Sequence, residues 1–215
     1  MADMITGAAL RELKARHPGA AAVCYVNSTA EVKAECDICV TSGNARRVMS
    51  TFPPEREIIF VPDRHLGSHV AAKLGREYIL WPGYCPTHAR LTAKAIADAR
   101  AAHPEAIAMV HPECPKEVRD AADLVLSTGE MCAAALESDA KEFLVGTETG
   151  IIHRLERENP GKKFYPVDTR LVCPNMKKTT LEKVRDALRD MKPRVTVPPA
   201  TAAAAKRAID AMLSI

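Results

Sequence analysis

Aromatic residues and a dominant charge are both missing from this sequence. Phe, Trp and Tyr make up 4% of the 215 residues, and the excess of Lys and Arg over Asp and Glu leaves a formal charge of only +3. A nucleic-acid surface needs concentrated basic charge, and one for single strands also needs aromatic rings that stack on bases. The composition therefore argues against a nucleic-acid partner.

Long apolar runs are absent as well. The apolar stretches have the length of β-strands, and residues 1–5 lack the basic and apolar regions of a secretory signal peptide. No membrane partner is therefore expected. Seven cysteines, an odd number, in a chain without such a signal favour reduced thiols kept for ligation or packing. These features predict a cytoplasmic protein.

What the sequence does contain is an internal repeat. His17-Pro18 and His103-Pro104 lie 86 residues apart, and the same offset aligns Glu31-Val32 with Glu117-Val118. Both copies alternate short apolar runs, such as residues 20–26, with helical patterns, which is typical of parallel sheets covered by helices. The predicted fold class is α/β, with two repeated three-layer α/β/α Rossmann-like domains. Within this pattern, residues 62–67 are predicted to form a loop.

A Cys-Pro step recurs where each copy ends. Cys85-Pro86 and Cys173-Pro174 each precede a helical pattern, and the 86-residue offset places a further counterpart two positions before Met1. We therefore predict domains at residues 1–84 and 85–172. The tail at 173–215 is expected to pack its last helix, residues 201–213, on a missing first domain. Three such units suggest a pseudo-threefold arrangement whose thiolates converge on an axis, which suits an iron–sulfur cluster.

Polar residues follow the predicted strands in both copies. Ligands of open parallel sheets bind at the carboxyl ends of the strands, beside helix N-termini. His111 and Glu113, two residues apart on a segment predicted to be extended, are candidates for shared proton transfer. The residues placed at these strand ends are Tyr25, Asn27 and Ser42 in the first copy and His111, Glu113 and Thr128 in the second.

Structural interpretations stand beside these functional ones. A lone Tyr at a strand end packs more often than it catalyses, and a polar segment such as 111–113 can be a solvent-facing loop. Cys36 and Cys39 have CxxC spacing, but no second pair completes four zinc ligands, so they are interpreted as structural. The same interpretation is given to Cys24, Cys114 and Cys132, and the histidines outside residue 111 are interpreted mainly as turn or helix-face residues. The alternatives are a non-catalytic module that binds a phosphate or dicarboxylate metabolite, and a zinc-bound structural protein.

The chain resembles quinolinate synthase of the A type, the iron–sulfur enzyme family of NAD biosynthesis. The motifs that carry the resemblance occur in family order over essentially the whole chain. They include Tyr25-Val26-Asn27, Thr41-Ser42-Gly43, Pro62-Asp63-Arg64-His65, Trp81-Pro82-Gly83-Tyr84-Cys85, His111-Pro112-Glu113-Cys114, Ser127-Thr128-Gly129 and Cys173-Pro174-Asn175-Met176-Lys177.

The resemblance implies three α/β domains around one [4Fe–4S] cluster, with one Cys ligand from each domain and a fourth iron open to the substrate. It implies condensation of iminoaspartate with dihydroxyacetone phosphate to quinolinate, with release of phosphate and water, and functional coupling to L-aspartate oxidase. Cys85 and Cys173 would be two of the cluster ligands. Because the third ligand is expected to lie outside the chain, an N-terminally truncated form that binds a cluster poorly and is inactive alone is predicted. The implied catalytic residues are Tyr25, His111 and Glu113, and the implied substrate-binding residues are Tyr25, Asn27, Ser42, His111, Glu113 and Thr128.

Overall fold

The first copy of the repeat forms a parallel sheet between helices. The computed structural model describes all 215 residues. The strands lie in the order 2-1-3-4, and every residue of the first three is buried, as expected for strands covered on both faces. The elements are α1 (Gly7–Arg16), β1 (Ala21–Tyr25), α2 (Ala30–Ala34), β2 (Ile38–Val40), α3 (Ala45–Met49), β3 (Ile58–Val61), α4 (Arg64–Leu74) and β4 (Ile79–Leu80).

The second copy repeats this topology. Its four strands are also all parallel, and their order, β6-β5-β7-β8, matches β2-β1-β3-β4 of the first sheet. The predicted α/β fold class is therefore confirmed. The elements are α5 (Ala93–Ala102), β5 (Ile107–Val110), α6 (Lys116–Ala121), β6 (Leu124–Val125), α7 (Thr128–Glu137), β7 (Glu142–Gly146), α8 (Ile151–Glu158) and β8 (Lys163–Pro166).

Alternate side chains of the second sheet enter two separate cores. Val110 and Leu144 pack with Ile96 of α5 on one face, whereas Met109 and Phe143 belong to the core on the other face. Successive side chains of a strand point to opposite faces, so both faces of this sheet are covered. The three layers of the prediction are present.

Two helices follow the second sheet, α9 (Leu181–Asp190) and α10 (Pro199–Leu213). Helix α10 lies on α2 and β2 of this chain. Its packing on a missing domain stays a prediction. Ala208 and Met212 of α10 join the core of the first sheet because this edge of the sheet is otherwise open. In α9 no residue is buried, and Leu181 is 81% exposed. None of the helices combines the length and apolar character that crossing a membrane requires.

Side-chain caps set two helix starts, one of which the sequence pattern misplaced. The segment predicted as a loop at residues 62–67 is helical from Arg64, because Oδ1 of Asp63 accepts the N–H groups of His65 and Leu66. Helix α7 begins at Thr128 because Ser127 and Glu130 form a capping box. Each cap places polar side chains at the carboxyl end of its own sheet, Asp63 after β3 and Ser127 after β6.

Candidate active site

One cavity of about 900 Å³ lies at the carboxyl ends of the strands of both sheets. The structure brings together every residue that the sequence nominated for the substrate or the cluster. Tyr25 ends β1, and His111 follows β5 at the equivalent position of the repeat. The nominated residues in its lining are Tyr25, Asn27, Ser42, Cys85, His111, Glu113, Thr128 and Cys173.

The loop that carries Cys85 is held by a buried carboxylate. Gly83 pairs with Asp63 in an isolated parallel bridge, and a Cβ atom on Gly83 would lie 2.5 Å from the carbonyl oxygen of Pro62. Only glycine fits this approach. Oδ2 of Asp63 then accepts the N–H of Cys85 at 2.9 Å. Burial, reinforced by the charge of Glu113, raises the pKa of Asp63 to about 7 despite these backbone donors.

The α-helix expected directly after Cys85 is absent. The chain instead makes a 3₁₀ turn at His88–Arg90, and α5 starts only at Ala93. A three-residue turn has no extended dipole to direct at the thiol. The position of Cys85 therefore depends on the Asp63 hydrogen bond and the Gly83 approach, rather than on a helix N-terminus.

Cys173 has an equivalent anchor in the second copy. Oε1 of Glu148, which lies two residues after β7, accepts the N–H of Cys173 at 3.3 Å and pairs with Nζ of Lys177 at 2.9 Å. Burial raises the pKa of the Cys173 thiol, but the backbone N–H groups of Met176 and Asn175 and the hydroxyl of Thr87 outweigh it, so the pKa is lowered. The Thr87 contact joins the two Cys-Pro segments.

Glu113 pairs with a histidine that sequence reasoning had interpreted as a turn residue. Oε2 of Glu113 lies 2.8 Å from Nδ1 of His88, and the two residues are only 3% and 8% exposed. The other ring nitrogen of His88, Nε2, is 2.8 Å from the hydroxyl oxygen of Thr147, just after β7. The one signal in the sequence was that His88 lies three residues after Cys85. The direction in which its side chain points depends on the 3₁₀ turn.

The two members of this pair shift each other's pKa in opposite directions. Burial raises the pKa of Glu113, but His88 and His111 outweigh it and hold the pKa at about 2. Burial lowers the pKa of His88, but contacts with Cys85 and Glu113 raise it to about 10. Both groups are consequently charged at neutral pH.

His111 differs from His88 in its protonation state. Its ring stacks on that of His88 with centroids 4.7 Å apart, and its Nδ1 accepts the backbone N–H of Glu113 at 3.3 Å. Burial lowers the pKa of His111 to about 4, so the ring is neutral at pH 7 and carries its proton on Nε2. Residues 111–114 form a turn closed by the bond from Cys114 N to His111 O, so the predicted extended segment is wrong.

Tyr25 completes the group around Glu113. Its side chain lies against Glu113 and Ser42, and burial together with the Glu113 charge raises the pKa of Tyr25 far above its usual range. The phenol therefore stays protonated and can donate a hydrogen bond. The assembly offers one carboxylate acceptor, Glu113, beside neutral donors from Tyr25 and His111.

A family model described as NadA, quinolinate synthetase A protein, matches residues 1–214. The chain belongs to the quinolinate synthase family. The quinolinate synthase of Dehalococcoides mccartyi strain CBDB1 is 50% identical over 215 residues, which cover 100% of this chain and 71% of that protein. The proteins of the same name from Methanoregula boonei and Geobacter metallireducens are also 50% identical over 215 residues and are covered to 71% and 70%.

Two cysteines fit the iron–sulfur chemistry of the quinolinate synthase family. Of the seven thiols, all unpaired, only those of Cys85 and Cys173 line the cavity. The backbone N–H of each donates a hydrogen bond to a carboxylate, and each begins the Cys-Pro step at the end of its copy of the repeat. Their roles as ligands stay predictions. Cys24 and Cys39 are in register on β1 and β2 within the first core, in keeping with a packing role.

Proposed function

We propose that this chain carries the chemistry of quinolinate synthase, the condensation of iminoaspartate with dihydroxyacetone phosphate to quinolinate with release of phosphate and water. The observation that carries the proposal is the convergence of all eight nominated residues on one cavity. Membership of the family supports the choice of reaction. A cytoplasmic location and coupling to L-aspartate oxidase stay predictions from the sequence.

Cys85 and Cys173 would hold a [4Fe–4S] cluster in the cavity that both of them line. When bound, the cluster supplies an open iron that acts as a Lewis acid on a substrate oxygen. Clusters of this kind are usually held by four cysteine thiolates, and this chain places two in the cavity. We therefore expect weak cluster binding by this chain.

The anionic character of both substrates matches the cavity. Arg90, Arg154 and Lys177 belong to its lining with the charged His88, against the two carboxylates Glu113 and Glu148. The excess of cations over carboxylates favours the entry of oppositely charged ligands. The hydroxyl groups of Ser42 and Thr128 and the amide of Asn27 would then bind the substrate carboxylates and phosphate by hydrogen bonds.

Proton transfer would be centred on Glu113. Its carboxylate is charged and nearly excluded from water, so Oε1 would accept a hydrogen bond or a proton from a bound substrate. Oε2 stays paired with His88, whose charge lowers the basicity of the group, so the proton transfer has to be driven by an acidic substrate proton. His111 would donate a hydrogen bond from Nε2 to a substrate oxygen, and Tyr25 would donate one from its hydroxyl. These roles distinguish the two histidines, which the sequence could not do.

Calorimetric titration of dihydroxyacetone phosphate into the chain tests the proposed pocket without requiring turnover. We expect binding that Thr128→Val and Ser42→Ala each weaken by about tenfold, the loss of one hydrogen bond to a charged group. Thr92→Val is the matched control, because Thr92 caps α5 outside the cavity. A folded chain that does not bind, or binding that all three variants leave unchanged, would refute the pocket.

Assay of quinolinate formation after anaerobic reconstitution separates the enzyme from a metabolite-binding module. Because the chain alone is predicted to be inactive, quinolinate formed by the wild type would overturn that prediction and favour the enzyme, provided that Glu113→Gln abolishes it while keeping the binding of dihydroxyacetone phosphate. A binding module would instead keep its ligand affinity in Cys85→Ser and Cys173→Ser and show no loss of visible iron–sulfur absorbance in either variant.

A further inference from the structure

We propose that Cys85, His88 and Glu113 form a binding site for a single divalent transition-metal ion when the chain carries no iron–sulfur cluster. The three residues offer a sulfur, a nitrogen and an oxygen atom that all lie within 4.8 Å of one another. They come from the Cys-Pro loop, the 3₁₀ turn and the turn after β5, so the fold, and not a local motif, brings them together. The site shares only Cys85 with the pair of cysteines assigned to the cluster.

The spacing suits a tetrahedral ion. Bond lengths of about 2.0–2.3 Å to zinc imply ligand atoms roughly 3.3–3.8 Å apart. The observed separations, 2.8 Å between Nδ1 of His88 and Oε2 of Glu113 and at most 4.8 Å overall, bracket that range. Small side-chain rotations would therefore bring all three atoms to bonding distance.

An unsatisfied nitrogen points into this space. Nδ1 of His88 is buried and, although it lies near Glu113, has no hydrogen-bond partner of acceptable geometry. Buried polar atoms in proteins are almost always hydrogen-bonded, so an orphaned ring nitrogen beside a carboxylate and a thiol needs an explanation. A metal ion between the three atoms would bind Nδ1 and separate it from the carboxylate of Glu113.

The surroundings of the three ligands resemble the outer shell of a metal site. Nε2 of His88 lies 2.8 Å from the Thr147 hydroxyl, and metal-binding histidines almost always direct their other ring nitrogen to such a partner. The loop of Cys85 is fixed by Asp63, as described above. The histidine is thus already held with Nδ1 directed at the site, and the ion would displace the proton that Nδ1 carries beside Glu113.

The ligand chemistry selects the class of ion. A thiolate and a carboxylate supply two negative charges, which offset a divalent cation in a buried position. A mixed sulfur, nitrogen and oxygen set suits zinc and its neighbours rather than magnesium or calcium. Three protein ligands leave a fourth position, which would face the cavity because all three residues line it.

Titration of the metal-free chain with cobalt(II) chloride tests this site, because a tetrahedral cobalt thiolate absorbs visibly. We expect one cobalt ion per chain with a thiolate-to-metal charge-transfer band, displaced by zinc chloride. Cys85→Ser, His88→Gln and Glu113→Gln should each weaken binding at least tenfold. Thr147→Val, which alters no ligand, should weaken it by roughly 10–100-fold.

Cys173→Ser and Cys36→Ser are the matched controls and should leave the affinity unchanged. The first removes the other thiol of the cavity and the second a partly exposed thiol elsewhere. Loss of cobalt binding in Cys173→Ser, unchanged binding in His88→Gln, or no stoichiometric binding by wild type would overturn the proposal. Circular dichroism checks the fold of each variant, and a misfolded ligand variant leaves Thr147→Val to decide. The outcome does not depend on whether the chain makes quinolinate.

Discussion

Replacing His88 by Leu should destabilise the protein far more than its size suggests. The change leaves Glu113, only 3% exposed, as a buried carboxylate without the cation 2.8 Å away. Removing one member of a buried ion pair costs about 3–5 kcal/mol. Total stabilities of domains are about 5–15 kcal/mol, so the loss is readily measured.

A double-mutant cycle isolates this pair from the packing change. Urea unfolding at pH 7 with a chelator present would compare His88→Leu, Glu113→Gln and the double variant. Because Gln carries no charge, the double variant should recover part of the loss, with a coupling of about 1–3 kcal/mol. His103→Leu is the control, since His103 stacks on Tyr165 and should show no coupling with Glu113→Gln. A coupling below about 0.5 kcal/mol for His88 would refute the charged pair.

Three further predictions concern residues that the sequence did not nominate for the site. Asp63→Ala removes the cap of α4 and leaves the N–H of Cys85 unpaired, so we expect a loss of about 2–4 kcal/mol in urea unfolding and faster hydrogen exchange at the Cys85 amide; an unchanged exchange rate would contradict the anchor. Arg119 donates to the carbonyl of Pro112 in the second copy and to the hydroxyl of Ser68 in the first, so it joins the two copies. Arg119→Met removes both bonds, and thermal unfolding should then show a lower Tm or two transitions. A single transition at an unchanged Tm would exclude this role. Burial and nearby cations lower the pKa of His69 to about 4, so the unfolded chain binds the extra proton between pH 6.5 and 4, and stability falls as pH falls through that window. His69→Gln should flatten this slope, and an unchanged slope would contradict it.

The repeat made the fold predictable because its signals are local. Apolar runs of strand length, such as residues 20–26, and each single His-Pro or Cys-Pro step depend on neighbouring residues only, and their recurrence shows the two copies. They predicted the alternation of strands and helices in both copies, which the two parallel sheets confirm. The strand Lys163–Pro166 was missed because a four-residue segment that ends in Pro carries little strand signal.

The partners of the site residues could not be predicted in the same way. Nothing near Glu113 in sequence indicates that it meets His88, because the contact needs the 3₁₀ turn after Cys85 and the turn after β5 together. The anchors Asp63 and Glu148 lie 22 and 25 residues before the cysteines whose N–H groups they accept. The packing of α10 on α2 and β2 could not be predicted either, since an amphipathic helix does not specify which surface its apolar face covers.

Anaerobic reconstitution with iron and sulfide tests most directly whether Cys85 and Cys173 belong to one cluster site. Iron and sulfide would be quantified, and the visible absorbance recorded, for wild type and for Cys85→Ser, Cys173→Ser and the control Cys132→Ser. We predict cluster absorbance in a fraction of wild-type and Cys132→Ser chains, and none in the other two variants. Equal iron, sulfide and absorbance in all four proteins would show that these cysteines do not hold the cluster.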